Sequence, residues 1–543
     1  MQFLNWLIKP IWILLIEREV QLQLGDLGYG EYAVHLNLAT LFAVLLDAGI
    51  NTYISREIAV KGKLWDLKRI LYLRLGLGGA YVAAVFTFAF FQGQISYPIL
   101  LMVVVNQLLA ATTLLFRAVL QGKHRFVWDS ILSVTDRFVA ILTLIFVFGL
   151  LGDGLQIPSK KIETIASDAI ETGVANSSAK EMASDSMAIL TTVGEQISHN
   201  NSLLEASILK FLWAQMAGYL AAVLLAVLFV WRAKSNDAKD VETNPDEFQP
   251  WVSLGDWLKQ MGWYVAMGLA MSAFTRLDVQ MLQWFTTDVA KDPSFHGAIP
   301  ATAGFTENGL YAKGFRLLDA ALIFSSMLSV QLLPMFSQKF ANKESLQDLV
   351  WLSFRIVLLV AMVAVFVAYY YGKDLMQLFY HLQFEAEAHN VGMLFFGFML
   401  SFMAMSSVHV IGTLLTAMGE VKWLTGLALI ALILNVIINI VQIPSMGAFG
   451  AVEACIATQW FFAVACIWRA HQRNGFTWSW KQWEFLVFTM VIFFILFNVL
   501  KLGFPQLNVF ISIPTAILLA VIPSVLVGFS SEMKALKARI FGR

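Results

Sequence analysis

The sequence predicts an all-α integral membrane protein of about fourteen transmembrane helices. Three observations lead there. Hydrophobic residues make up 58% of the 543 positions and charged residues only 14%, where a globular chain carries about 25%. Apolar runs of about twenty residues, the length that crosses a bilayer, recur along the whole chain. Lys and Arg also alternate: about 22 fall on or beside one set of loops and about 6 on the other. That bias puts the first set, and both termini, in the cytoplasm. Formal net charge is zero, which argues against nucleic acid, a partner that needs a basic face.

The helices follow from the apolar runs and their polar or Gly/Pro breaks. The first lies near 3–24 and is the least regular, because Lys9, Pro10, Glu17, Arg18 and Glu19 interrupt it. Its opening, MQFLNWLIKPIWILL, has no basic start and no small-residue cleavage site, so it reads as a spanning helix rather than a removed signal peptide. Helices follow near 32–55, 70–91, 98–120, 130–151 and 207–231. A second set lies near 256–286, 309–337, 350–371, 391–417, 421–442, 448–468, 484–502 and 509–528. Trp251, Trp257, Trp423, Trp468 and Trp483 fall near inner helix ends, as an aromatic belt requires.

These runs divide the chain into an N-lobe (1–231), a charged cytoplasmic linker (232–255), a C-lobe (256–470) and a final segment (471–543) with two more helices and a basic tail. The N-lobe includes a long exterior loop, 152–206, read as a flexible insertion with room for an amphipathic helix near Lys160–Thr172. Short signals repeat in order between the lobes. Glu19-Val20-Gln21 follows Arg18, and Asp278-Val279-Gln280 follows Arg276. Gly30-Glu31-Tyr32-Ala33 answers Gly309-Leu310-Tyr311-Ala312. Gln121-Gly122-Lys123 answers Met418-Gly419-Glu420. Two six-helix lobes in parallel repeat suit a transporter.

Ionisable residues inside a bilayer cost at least about 2.5–3.5 kcal/mol on the insertion scale and mark functional positions. Helix 1 holds Glu17, Arg18 and Glu19, and helix 2 holds Asp47. Arg74 opens helix 3, and Asp129, Asp136 and Arg137 lie on helix 5. Helix 7 holds Arg276 and Asp278, and helix 8 holds Lys313, Arg316 and Asp319. At about 1.5 Å per residue, the helix 7 and helix 8 groups lie roughly 10–15 Å below the outer face. Two readings are open: interhelical pairing (Arg276 with Asp319, Asp278 with Arg316), or a lumen site that also meets substrate. Arg is the fork that suits phosphate, while the carboxylates would balance charge or bind a coupling proton or sodium ion.

Other residues carry less. His35 and His409 read as packing or helix–helix hydrogen bonds, Asn435 and Asn439 as polar glue one turn apart, and Glu453 as an interface residue. Cys455 and Cys466 are about eleven residues and roughly 16 Å apart on one helix, too far for a disulfide. No Cys/His cluster suggests a metal, and no nucleophile elbow, P-loop or HExxH motif occurs. The chain reads as a transporter rather than an enzyme.

The segments KPIWILLIEREVQ, LGDLGYGEYAVHLNLATLFAVLLDAGINTYISREIA, FRAVLQGKHRFVWDSILSVTDR, TRLDVQML, NGLYAKGFRLLDAALIFSSMLSVQLLPMFS and GTLLTAMGEVKWL resemble polysaccharide exporters. Within these, the chain resembles the O-antigen (Wzx-type) flippases of the multidrug/oligosaccharidyl-lipid/polysaccharide superfamily. The resemblance runs to about residue 470. It implies two MATE-like bundles around a central cavity, worked by alternating access in the bacterial cytoplasmic membrane. It implies an undecaprenyl-pyrophosphate-linked oligosaccharide as substrate, membrane lipid as surroundings, and a polysaccharide polymerase and glycosyltransferases as working partners. It implies no cofactor beyond a coupling H+ or Na+. Arg18, Arg276, Lys313 and Arg316 would meet the pyrophosphate and glycan. Glu17, Glu19, Asp47, Asp278 and Asp319 would couple the ion or balance charge. The 152–206 segment departs from the short loop usual there. Three other readings compete: a drug or cation antiporter with an aromatic pocket, a lipid II flippase, and a membrane enzyme using the 152–206 loop.

Overall fold

The computed structural model describes residues 8–149, 181–237, 254–290, 300–473 and 480–528, apart from positions 9, 48, 52, 53, 55–57, 59–66, 94, 124, 383, 505 and 507. The start of the first expected helix, Lys160–Thr172, most of the 232–255 linker, Trp251 and the basic tail lie outside the described residues, as does the side chain of Trp257.

Every element described is helical. A π-helical turn, Trp12–Glu17, leads into α1 (Arg18–Phe42) and α2 (Val44–Asp47). Then come α3 (Leu67–Gln92), α4 (Tyr97–Gly122), α5 (Phe126–Phe146), α6 (Glu181–Asp237), α7 (Leu254–Ala290) and α8 (Pro300–Ala341). They are followed by α9 (Gln347–Tyr380), α10 (Glu385–Ala417), α11 (Val421–Met446), α12 (Ala448–Gln472), α13 (Trp480–Gly503) and α14 (Val509–Gly528). Among the described residues, eleven helical segments are long and apolar enough to cross a membrane. Three features separate that number from the expected fourteen. Trp12–Asp47 counts once, although Gly25 breaks it. Neither α5, with Asp129, Asp136 and Arg137, nor α7, with Asp256, Lys259, Arg276 and Asp278, is among the eleven.

The break expected between the first two helices is shorter than the sequence suggested. Gly25 alone leaves the helical region (φ 67°, ψ 179°), a conformation that strains any residue with a Cβ. Gly28, between the two expected helices, and Gly30, at the expected start of the second, are helical. They are small because neighbours press on them: an added Cβ would meet the Leu204 side chain at Gly28 and the Phe305 carbonyl at Gly30. The long α6 is a second departure. Residues 181–201 of the expected exterior insertion are its first turns, and its apolar span is Ser202–Arg232.

The chain forms two compact units. Unit 1 is Met1–Met261 with Thr286–Gly309. In it Leu38 and Leu46, Tyr81, Val85 and Ala89, and Leu100 and Val104 join α1–α4 in one core. Trp12 and Tyr32 both pack on Phe211 of α6. The second half of α1 crosses the first turns of α8 at Gly30 and Gly309. A Cβ at Gly30 would sit 2.8 Å from the Gly309 nitrogen, and a Cβ at Gly309 would sit 2.6 Å from the Asp26 carbonyl carbon. The relation is reciprocal, since each glycine faces the carbonyl four residues before the other. Gln21 Nε2 donates to the Gly309 carbonyl at 3.2 Å beside this crossing.

Unit 2 is Gly262–Phe285 with Leu310–Arg543. Its main core gathers Phe274, Phe336, Trp351, Phe354, Phe462 and their neighbours from α7–α12. The last two helices pack on α9 through Phe366, Phe493 and Phe497. The pairs Asn498–Tyr370 and Lys501–Asp374 add to that contact. On α11, Ile430, Ile433, Ile437 and Val441 point outward at 54–67% exposure, while Asn435 and Asn439 are fully buried. A helix with its apolar stripe outside and its amides inside is built for lipid.

Candidate functional site

Asp278 of α7 has no exposed surface. Its Oδ1 accepts from the Asn435 and Asn439 amides at 2.8 Å each, and its Oδ2 accepts from the Tyr311 hydroxyl at 3.3 Å. Asn439 also donates to Asn435 Oδ1 at 3.0 Å. The i, i+4 spacing on α11 stacks the two amides on one face, so one carboxylate can receive both. Leaving a buried carboxylate without such donors would cost several kcal/mol. Asn435 and Asn439 tie α11 to α7 through this carboxylate, the helix–helix role expected of them.

Arg276 lies two residues earlier, about 200° around the helix from Asp278. It meets Asp319 Oδ1 at 3.8 Å, with its guanidinium 5.7 Å from the Phe315 ring centre. Arg316 meets the other oxygen, Asp319 Oδ2, at 3.3 Å. The expected Arg276–Asp319 pair is therefore present. The expected Asp278–Arg316 pair is not: Asp278 turns to α11, and Arg316 is held by the carboxylate one turn along its own helix. The 200° separation on α7 explains why both pairs could not form at one place.

Lys313 is also buried, and it turns to α10. Its Nζ lies 3.4 Å from Glu387 and 5.8 Å from the Tyr380 ring centre, and Tyr380 donates back to the Lys313 carbonyl at 3.0 Å. Tyr311, Phe315 and Phe398 fill the space beside these charges.

In unit 1, Glu17 is buried. It accepts from Trp12 Nε1 at 2.9 Å and from the Tyr29 hydroxyl at 3.5 Å. Tyr219 of α6 and the Asp136–Arg137 pair of α5 lie within electrostatic reach of each other, and Tyr219 also senses Glu17. Arg18 and Glu19 are partly exposed, 3.9 Å apart, and Gln23 donates to Glu19 at 3.3 Å. Asp47 belongs elsewhere. It accepts from the Asn51 main chain at 3.2 Å beside Arg74, which caps the Leu46 carbonyl. From Tyr29 to Asp47 is eighteen residues of helix, roughly 27 Å, so Asp47 does not join the Glu17 group.

The structure thus assembles Arg276, Arg316 and Asp319 into one cluster, seats Asp278 and Lys313 against other helices, groups Glu17 with aromatic donors, and leaves Asp47 apart. Sequence reasoning missed Trp12, Tyr219, Tyr311, Tyr380 and Glu387 as partners. Tyr311 stood in the repeated Gly-x-Tyr-Ala signal; Tyr219 carried none. His409 Nδ1 meets Ser325 Oγ at 2.8 Å, the helix–helix hydrogen bond expected of it. Both cysteines are buried and free. No cluster suited to a metal ion occurs among the described residues.

Two family models match parts of the chain: "Polysaccharide biosynthesis protein" over residues 1–158 and "Lipid II flippase MurJ" over residues 311–520. No individually curated protein matches. Among solved structures, the chain is similar to a lipid II flippase MurJ in an inward closed conformation (TM-score 0.57, 11% identity, 98% of this chain and 98% of that one). It is also similar to a multidrug resistance MATE family transporter of the MOP superfamily in an inward-facing conformation (TM-score 0.52, 12% identity, 87% and 94%). At such identities the likeness is one of fold. The protein is a multi-pass membrane protein with a MATE-like fold.

Proposed function

We propose that this protein is a flippase that moves an undecaprenyl-pyrophosphate-linked oligosaccharide, a repeat unit of a surface polysaccharide, across the bacterial cytoplasmic membrane by alternating access. One observation carries the reading: two guanidinium groups, Arg276 and Arg316, both meet the Asp319 carboxylate, at 3.8 and 3.3 Å. That cluster sets two guanidinium groups side by side at a depth where charge is expensive. A diphosphate offers several acceptor oxygens to such forks, and charge-assisted bonds of this kind are about twice as strong as neutral ones. Lys313 and Arg18 are further cations that a headgroup would meet. Asp278 is the coupling residue in this proposal. Its carboxylate can take up a proton, or a sodium ion with the carbonyl oxygens of Asn435 and Asn439 once their amides turn. Glu17, held by neutral donors, would balance charge in unit 1, with Glu19 beside it. Both termini would be cytoplasmic. A polysaccharide polymerase and glycosyltransferases would act on the same lipid-linked glycan.

The family model over residues 311–520 favours one further reading, a lipid II flippase. Both readings share the polyprenyl diphosphate and differ in glycan. Leaflet-resolved measurement of lipid-linked sugar in a strain lacking the protein separates them. Surface-glycan precursor should collect on the inner leaflet while wall synthesis continues; arrested wall synthesis would instead favour lipid II. Arg276→Ala and Arg316→Ala should each lower export at unchanged protein level. Normal export in both would remove the diphosphate role.

A further inference from the structure

A group of cations lies in unit 2 at the helix ends that the loop charges predict to be cytoplasmic, apart from the Arg276–Arg316 cluster. Glu420 sits in the turn between α10 and α11, with its side chain only 12% exposed. Arg469, on the last turn of α12, donates through Nε and Nη2 to Glu420 Oε2 at 3.1 and 2.7 Å. Arg473 Nη2 lies 2.6 Å from the other oxygen, Oε1, and its side chain is half exposed. Both carboxylate oxygens are thus taken by arginine. Lys422 follows on the first turn of α11 and is exposed. Its Nζ lies 5.8 Å from the ring centre of Trp263 on α7, and among the described residues it meets no carboxylate.

The surroundings are those of a lipid headgroup. Trp263 and Trp468 are both exposed, and the Arg469 guanidinium lies 5.4 Å from the Trp423 ring centre. Indole rings favour the headgroup level of a bilayer. Thr425 Oγ1 donates to the Trp263 carbonyl at 3.2 Å, so α7 and α11 are tied one turn from Lys422. Further along α11, Gly426, Leu429, Ile433 and Ile437 recur every three or four residues and are all exposed, so they continue the face that Lys422 begins. Gly426 leaves that face open, since nothing lies within 4 Å of an added Cβ. Lys422 and Ile433 are eleven residues apart, roughly 16 Å along the helix, close to the hydrocarbon depth of one leaflet at about 15 Å.

We propose that Lys422 and Arg473, with Trp263 beside them, bind the phosphate of one anionic phospholipid at the ends of α7, α11 and α12, while an acyl chain lies along α11 from Gly426 toward Ile433. Charge complementarity selects this occupant. Three cations, Lys422, Arg469 and Arg473, stand at one carboxylate, and an anionic headgroup supplies the negative charge that Glu420 alone does not. Basic pockets between spanning helices on the cytoplasmic side suit such headgroups. Arg473 meets Glu420 through one nitrogen, and the rest of its fork can reach a phosphate oxygen. A zwitterionic headgroup is the poorer occupant, because it brings a cation of its own toward Lys422. A free anion is poorer too, since it makes no use of the apolar face that continues from the charges. The site does not depend on what the protein carries.

The test titrates the delipidated full-length protein in detergent with phosphatidylglycerol and, in parallel, with phosphatidylcholine of the same chains. Native mass spectrometry reads the bound lipid, and the thermal midpoint is followed alongside. Phosphatidylglycerol should be retained as one tightly held molecule and raise the midpoint, and phosphatidylcholine should do neither at the same concentration. Lys422→Gln and Arg473→Gln should each weaken that binding about fivefold. Both side chains are exposed or half exposed, so the variants keep the fold. Gly426→Leu, which fills the open position without changing charge, should weaken binding as well. Arg232→Gln removes an exposed cation at the end of the α6 apolar span and should change nothing. Unchanged binding in both Lys422→Gln and Arg473→Gln overturns the proposal, as does an equal loss in Arg232→Gln. A midpoint rise of the same size with inorganic phosphate alone would overturn it in favour of a free anion. Displacement of phosphatidylglycerol by an equimolar polyprenyl diphosphate would overturn it in favour of the transported lipid. A dimer in lipid-free detergent that is lost in Lys422→Gln would give the face to a second copy instead.

Discussion

Replacing Gly309 with alanine isolates what the α1–α8 crossing contributes. The new Cβ would lie 2.6 Å from the Asp26 carbonyl carbon and closer still to its oxygen, whereas ordinary contact begins at 3.4 Å. Both obstacles are main chain, so no side chain can swing aside, and the helices must part by roughly 1 Å. Overpacking of this kind costs about 1–3 kcal/mol. Weakening the Gln21–Gly309 hydrogen bond adds about 0.5–1.5 kcal/mol. Alanine's better helix propensity returns about 0.8–1 kcal/mol. The net expectation is a loss of about 0.5–3.7 kcal/mol, read as a lower thermal midpoint of the purified protein in detergent. Gly426→Ala is the control: it is an exposed helical glycine with nothing within 4 Å of an added Cβ, so it should be neutral or slightly stabilising. Gly30→Ala should match Gly309→Ala, because its Cβ would fall on the Phe305 carbonyl. Equal midpoints for Gly309→Ala and Gly426→Ala would refute the close-crossing argument.

Asn435→Ala should cost about 1.5–3 kcal/mol, the worth of a hydrogen bond to a charged group, and most of that penalty should vanish in an Asp278→Asn background; a penalty that persists there would mean the amide acts on something else. Asp278→Asn should leave the thermal midpoint within about 1 kcal/mol of wild type, because neutral substitutes for buried charges are often tolerated, while transport loses its dependence on the driving ion; a retained dependence would remove Asp278 as the coupling residue. Cys455 and Cys466, buried and free, should resist maleimide in the folded protein and react only on unfolding; labelling of the native protein would contradict their burial.

Much of this fold was legible because the bilayer makes composition informative. Apolar runs such as those at 421–442 and 448–468 became α11 and α12 with ends moved by only a few residues. The first two helices were harder, since glycine has two meanings. Gly25 breaks the helix, but Gly28 and Gly30 permit contact within it, and only their neighbours reveal which applies. In the site, the Arg276–Asp319 pair was readable from depth and spacing. The destination of Asp278 was not, because rotation about α7 decides whether it faces α8 or α11. The same limit hid Glu387 as the partner of Lys313: seventy-four residues separate them, and no local pattern joins them. Asn435 and Asn439 were visible as a pair, but their object was not.

The Trp12–Glu17 bond shows how a local irregularity in winding can create a site. These residues are five apart. In an α-helix, at 100° per residue, they would project about 140° apart and could not meet. The π-helical turn spanning them closes i to i+5 and brings them onto one side, so the indole N–H reaches the carboxylate at 2.9 Å. The polar interruptions that made this segment look like a poor spanning helix are thus matched by a change in helix type. Trp12→Phe keeps the aromatic packing on Phe211 and removes only the donor. It should cost about 1.5–3 kcal/mol through Glu17, as for other bonds to a buried charge. In a Glu17→Gln background, where the partner is neutral, the same change should cost about 0.5–1.5 kcal/mol. A double-mutant cycle on thermal stability reads the difference. A coupling indistinguishable from zero would show that the π turn serves packing of the indole and not the seating of the acid.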